Sequence, residues 1–122
     1  MAESIARHHA PDIIDPSSAG LFPLGRVVDP TEQVLLANGY SVDGLSSKAM
    51  EGEALDNADL IINLTGAPRD RVFSTFVNVE DWNVEDPYGA DDATYQRILE
   101  EIESRVLLLA ARLRAEQRNS VN

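Results

Sequence analysis

The 122-residue sequence contains no cysteine. That absence removes disulfides, thiolate metal ligands and thiol nucleophiles together. Positive charge is also scarce: 10 Lys and Arg stand against 21 Asp and Glu, a formal net charge of -11. A field of that sign repels phosphate backbones and anionic lipid, which argues against nucleic acid or a membrane surface as partner. Long apolar runs are missing as well. The longest, Val106 to Ala111, is far short of a bilayer span, and MAESIARHH at the start has neither the basic region nor the apolar run of a secretory signal. These features lead us to expect a cytoplasmic protein. With 43% hydrophobic and 25% charged residues, the chain suits one globular domain over 1–122 with a single core.

Ala2, Ile5, Ala6 and His9 recur at helical spacing until Pro11 stops the pattern, so residues 1–10 read as a helix already running at Met1. Ile13-Ile14, followed by Asp15-Pro16 and Ser17-Ser18-Ala19-Gly20, reads as a short strand ending in a turn. In DPTEQVLLANG, Asp29 stands at an N-cap, Pro30 at the first helical position, Glu32 closes a capping box and Gly39 ends the helix. A weaker helix is expected over 47–57, since Gly52 costs about 1 kcal/mol in a helix interior. The apolar run Leu60 to Leu64 has the pattern of a strand buried on both faces, and Phe76 to Trp82 that of a strand nearer the sheet edge.

The last helix is capped by Asp91 or Asp92. It carries Tyr95, Ile98, Leu99, Ile102, Val106, Leu109 and Leu113 along one face. Its arginines, Arg105, Arg112, Arg114 and Arg118, are expected to offset the helix dipole and to pair with nearby acids. The order of elements implies an α/β layer fold with a mostly parallel sheet. The acidic group Glu85, Asp86, Asp91 and Asp92 lacks the alternation and glycine of a calcium loop and is better read as capping plus a solvated turn. His8 and His9 point about 100° apart on a helix and so are not expected to share a metal.

Four stretches, MAESIAR, SSAGL, ADLIINL and VEDPYG, occur in this order. Together they resemble the low-molecular-weight protein tyrosine phosphatase family, whose relatives include phosphatase-like arsenate reductases. The resemblance implies a flavodoxin-like three-layer fold, no cofactor, and phosphomonoester hydrolysis through a cysteinyl phosphate formed in a C-x-x-x-x-x-R-[ST] loop at a helix N-terminus. It also implies that Asp86 is the general acid, that Pro87 fixes the turn aiming it, that Tyr88 lines the pocket mouth and that Ser18 supports the phosphate loop. A supporting histidine found in relatives has no counterpart near Gly44.

The loop, its Cys and Arg, and the first, central strand of the family sheet are not among these 122 residues. The expectation is therefore a domain truncated at its N-terminus, with Asp86 a vestigial acid and the chain inactive; a phosphorylated substrate would bind only with that N-terminus restored. The alternative is a non-catalytic binding or scaffold homodimer that keeps the fold. A lost central strand costs of order 10 kcal/mol of apolar burial, comparable with the roughly 5 to 15 kcal/mol that holds a small domain together. Pairing through exposed strand edges, or exchange of elements between copies, is the expected remedy.

Overall fold

A computed structural model describes residues 1–18, 29–43, 52–64, 73, 78–85 and 90–120. Helix α1 spans Ala2–His9. Met1 is its N-cap and supplies no side-chain cap bond. Ile5 and Ala6 are buried on its inner face, with Glu3 and Ser4 also buried beside them. The helix ends at Ala10, ahead of Pro11, as the sequence pattern requires.

The structure differs at Ile13-Ile14, which forms no strand. The amides of Ile13 and Ile14 both donate to the Ala10 carbonyl, at 3.2 and 2.9 Å. That turn closes directly on the end of α1, and amides committed to it cannot join a sheet ladder.

Helix α2 spans Asp29–Ala37, and the Asp29 side chain lies outside the described residues. Its C-terminus is a complete Schellman motif. Tyr40 N–H donates to Leu35 O at 2.9 Å, Gly39 N–H donates to Leu36 O at 3.1 Å, and Gly39 takes the left-handed φ of 83° that this reversal needs. Leu35 and Tyr40, the residues the motif brings together, are both buried in the core. Helix α3 is described from Gly52 to Asn57; the expected start of that helix, at 47–51, lies outside the described residues.

Strands β1 (Ile61–Asn63) and β2 (Val79–Asp81) pair in parallel, with Ile61 opposite Val79 and Asn63 opposite Asp81. They fall within the two strands expected at 60–64 and 76–82, of which residues 76–77 lie outside the described residues. Helix α4, Asp92–Ser120, is 29 residues long, about 43 Å at 1.5 Å per residue. Asp91 caps it, its carboxylate accepting the Thr94 N–H at 2.9 Å.

Helices α1 and α2 both pack on α4. The α4 stripe of Tyr95, Ile98, Leu99, Ile102, Val106 and Leu109 joins Ile5, Leu35, Tyr40 and Trp82 in one core, with Leu113 packed against it. Burial of each large apolar side chain contributes about 1.5 to 3 kcal/mol. Leu107 and Leu108, one step off the stripe, are exposed.

Candidate functional site

The first turn of α1 binds Ser18, in the segment that follows the helix. Ser18 Oγ donates to Glu3 Oε1 at 2.6 Å, and Arg7 donates to Glu3 Oε2 at 2.9 Å. The same guanidinium also donates to the Pro16 carbonyl at 3.3 Å. Glu3 is 5% exposed, so its two carboxylate oxygens are committed to these partners rather than to water. Next to it, Ser4 Oγ donates to the Ser41 carbonyl at 2.6 Å and ties α1 to the chain leaving α2. Burial holds the Met1 α-amino group below its ordinary pKa, with the Glu3 carboxylate acting in the opposite sense.

In parallel α/β sheets, ligand sites form beyond the carboxyl ends of the strands. At that end, Asn63 Nδ2 donates to Asp81 Oδ1 at 2.7 Å, linking the last residues of β1 and β2. Asn63 is 3% exposed. The chain beyond β2 is then fixed to α4. Glu85 pairs with Arg97 at 2.6 Å, and Asp91 caps the helix. Glu85 and Asp91 lie on either side of the Asp86-Pro87-Tyr88-Gly89 sequence. Asp86, Pro87 and Tyr88 themselves lie outside the described residues.

A second polar chain runs between α1, the end of α2 and α4. The Tyr40 hydroxyl donates to Glu103, and His9 Nε2 lies 2.7 Å from the same phenol oxygen. With the phenol proton directed at Glu103, the His9 ring N–H is the donor to that oxygen. Burial first, then the hydrogen bond to Glu103 and its charge, push the Tyr40 phenol above its ordinary pKa. Tyr40 is thus held protonated, the opposite of an activated nucleophile. His8 and His9 pack edge-on against the Tyr40 ring.

Among the described residues no three His, Cys, Asp or Glu side chains come together to hold a metal ion. The groups assembled are hydroxyls, carboxylates and amides, each engaged by a neighbour. The Ser4 hydroxyl donates to a carbonyl, and the Ser18 hydroxyl to a carboxylate that is also paired with Arg7. Sequence reasoning singled out Ser18 but missed Glu3, although the Glu3–Arg7 spacing of four residues is a helix ion-pair signal. It missed the Asn63–Asp81 link and the Tyr40–Glu103 pair because both join segments far apart in the chain.

The family model for low molecular weight phosphotyrosine protein phosphatase matches residues 1–119. The chain belongs to that family. Solved structures of the phosphatase fold agree. An arginine phosphatase from Geobacillus stearothermophilus superposes with a TM-score of 0.85 at 20% identity, over 97% of this chain and 86% of that one. A low molecular weight protein tyrosine phosphatase from T. tengcongensis gives 0.81 at 21% identity, over 92% and 88%. An arsenate reductase in its phosphate-binding state gives 0.76 at 27% identity, over 92% and 86%. No curated protein matches the sequence. The fold of this phosphatase-family chain is therefore the flavodoxin-like α/β arrangement expected, with helices packed about a parallel sheet.

Proposed function

We propose that this 122-residue polypeptide keeps the phosphatase-family fold without its hydrolytic chemistry. The observation that carries the reading is chemical: the family reaction expected from the resemblance needs a thiolate, and the chain has no cysteine. Among the described residues, Tyr40 is held protonated, the Ser4 hydroxyl donates to a carbonyl, and the carboxylate that accepts from Ser18 is also paired with Arg7.

What remains is the proton-donating side of the site. Asp86 is the donor, Pro87 sets its turn, Tyr88 borders the pocket and Ser18 supports it from behind. The Glu85–Arg97 pair and the Asp91 cap, on either side of the Asp86-Pro87 sequence, support this reading. The proposed location is the cytoplasm. No described helix is long and apolar enough to cross a membrane. No cofactor takes part, and nucleic acid and membrane surfaces are disfavoured by the net charge of -11.

The test is turnover of an aryl phosphate by the purified 122-residue protein, beside Asp86→Ala. The expected result is no hydrolysis above the buffer blank for either protein. Hydrolysis by the parent that disappears in Asp86→Ala would overturn the proposal. A role as a binding module built from two copies is the second reading.

A further inference from the structure

The longest apolar run of the chain, Val106 to Ala111, lies within α4. The core takes only part of it: Val106, Leu109 and Ala110 are buried, whereas Leu107 is 45% exposed and Leu108 73%. At about 100° per residue, these two leucines stand roughly 120° and 140° to either side of the centre of the buried stripe. Ser104 and Ala111, both exposed, lie between them on the side turned away from the core. The outer face of an amphipathic helix is ordinarily charged or polar. Here it is uncharged for about two turns in the middle of the helix.

Charge says what fits against this face. Helix α4 carries five acidic and five basic residues, so the net charge of -11 belongs to the rest of the chain. Over that remaining surface two copies repel on average; along α4 they do not. The signs are also separated along the exposed side: Glu100 and Glu101 precede the leucines, and Arg112 and Arg114 follow them. Glu100 and Arg114 share the flank of Leu107, and Glu101 and Arg112 share the flank of Leu108.

When a helix packs antiparallel on its own copy about a two-fold axis, each flank meets the same flank of the other helix, with positions mirrored through the axis. An axis beside Leu107 sets Glu100 opposite Arg114, each seven positions away, and Glu101 opposite Arg112, at six and five. Both pairs ask for one register. Arg112 and Arg114 keep their intrachain partners Glu80 and Asp12, and a guanidinium with five donors can serve a second carboxylate. Parallel packing would instead set acid on acid and arginine on arginine.

We propose that two copies of this chain associate through the outer face of α4, antiparallel about Leu107, with Leu107 and Leu108 of each helix packed against those of the other. The proposal rests on the second reading above and specifies its surface.

The chain has no cysteine, so a single introduced thiol reports this contact alone. Under mild oxidation Leu107→Cys should form a disulfide-linked pair, because the axis brings its two copies within disulfide reach, about 7 Å between Cα atoms. Glu116→Cys should stay unlinked, since its two copies stand about 27 Å apart along the paired helices. In light scattering over a concentration series, the mass of the parent should rise from 13.4 kDa toward twice that value, as befits the small interface of one helix pair. Leu108→Lys, at an exposed position, should hold the single mass at every concentration and leave the far-ultraviolet circular dichroism unchanged.

A doubled mass that survives Leu108→Lys overturns this surface and leaves the two-copy reading standing. Equal linking of the two cysteine variants, or linking of neither, in a protein of doubled mass does the same. A parent that stays at single mass throughout overturns both. Should Leu108→Lys fail to fold, the comparison of Leu107→Cys with Glu116→Cys decides.

Discussion

Ser18 and Glu3, 15 positions apart in the chain, are joined by a 2.6 Å hydrogen bond in which the serine hydroxyl donates to a nearly buried carboxylate. Arg7 holds the other oxygen of that carboxylate from one turn along α1. The bond ties the irregular segment after α1 back to that helix. Glu3→Ala leaves Ser18 without its acceptor and Arg7 without its partner. It should lower stability by about 1 to 3 kcal/mol, the usual cost of breaking a buried, charge-assisted bond. Urea unfolding of Glu3→Ala, Ser18→Ala and the double variant measures the coupling. The double variant should lose less than the sum of the single losses.

Tyr40 sits where α1, α2 and α4 meet, and its phenol is held above the ordinary range by burial and by Glu103. A group whose folded pKa is raised contributes stability that is fully present below its unfolded pKa, near 10, and lost as pH rises through the folded value. Tyr40→Phe should therefore leave the phenolate absorbance change through the ordinary tyrosine range unaltered, because Tyr40 does not titrate there. At neutral pH the same substitution should cost about 1 to 3 kcal/mol by leaving Glu103 and His9 without their shared partner. An alkaline spectrophotometric titration and a denaturant curve check the two halves of the prediction.

Arg114 ties the far end of α4 to the turn after α1. Its guanidinium donates twice to Asp12, at 2.7 and 3.0 Å, and once to the His9 carbonyl at 3.3 Å. The bond from Arg114 depresses the Asp12 carboxyl below its ordinary value. A depressed carboxyl adds stability that is present above the unfolded pKa, about 3.9, and is lost as pH falls through the folded value. Acid unfolding followed below pH about 4 should thus lose a component in Asp12→Asn, which keeps the shape of the side chain without its charge. An acid limb unchanged by that substitution contradicts the assignment.

Leu99, fully buried on the α4 stripe, is a direct probe of the core. Leu99→Ala should destabilise by about 2 to 5 kcal/mol, the range for large-to-small substitutions in a packed interior. Leu108→Ala, on the exposed side of the same helix, should be close to neutral. Denaturant midpoints for the two variants make the comparison.

The helices were legible in the sequence because their signals are local. Asp91 caps α4 as its position implied, Gly39 takes a positive φ where α2 ends, and the apolar stripe of α4 is the stripe that packs. Strands β1 and β2 were legible as apolar runs, and their parallel pairing followed from the order of elements. Ile13-Ile14 misled because β-branched residues score as strand, while the neighbouring Ala10 carbonyl offered their amides a nearer partner. Of the site, Ser18 was legible only through the family resemblance. Its bond to Glu3, like the Asn63–Asp81 and Tyr40–Glu103 contacts, depends on how distant segments meet, and neither periodicity nor composition carries that information.

The most direct measurement is the intact mass of the purified 122-residue protein, quenched in acid during incubation with excess aryl phosphate. A family fold without its attacking sulfur should return one unmodified mass at every time point. A phosphoryl adduct that accumulates on the chain and decays by hydrolysis would contradict the account.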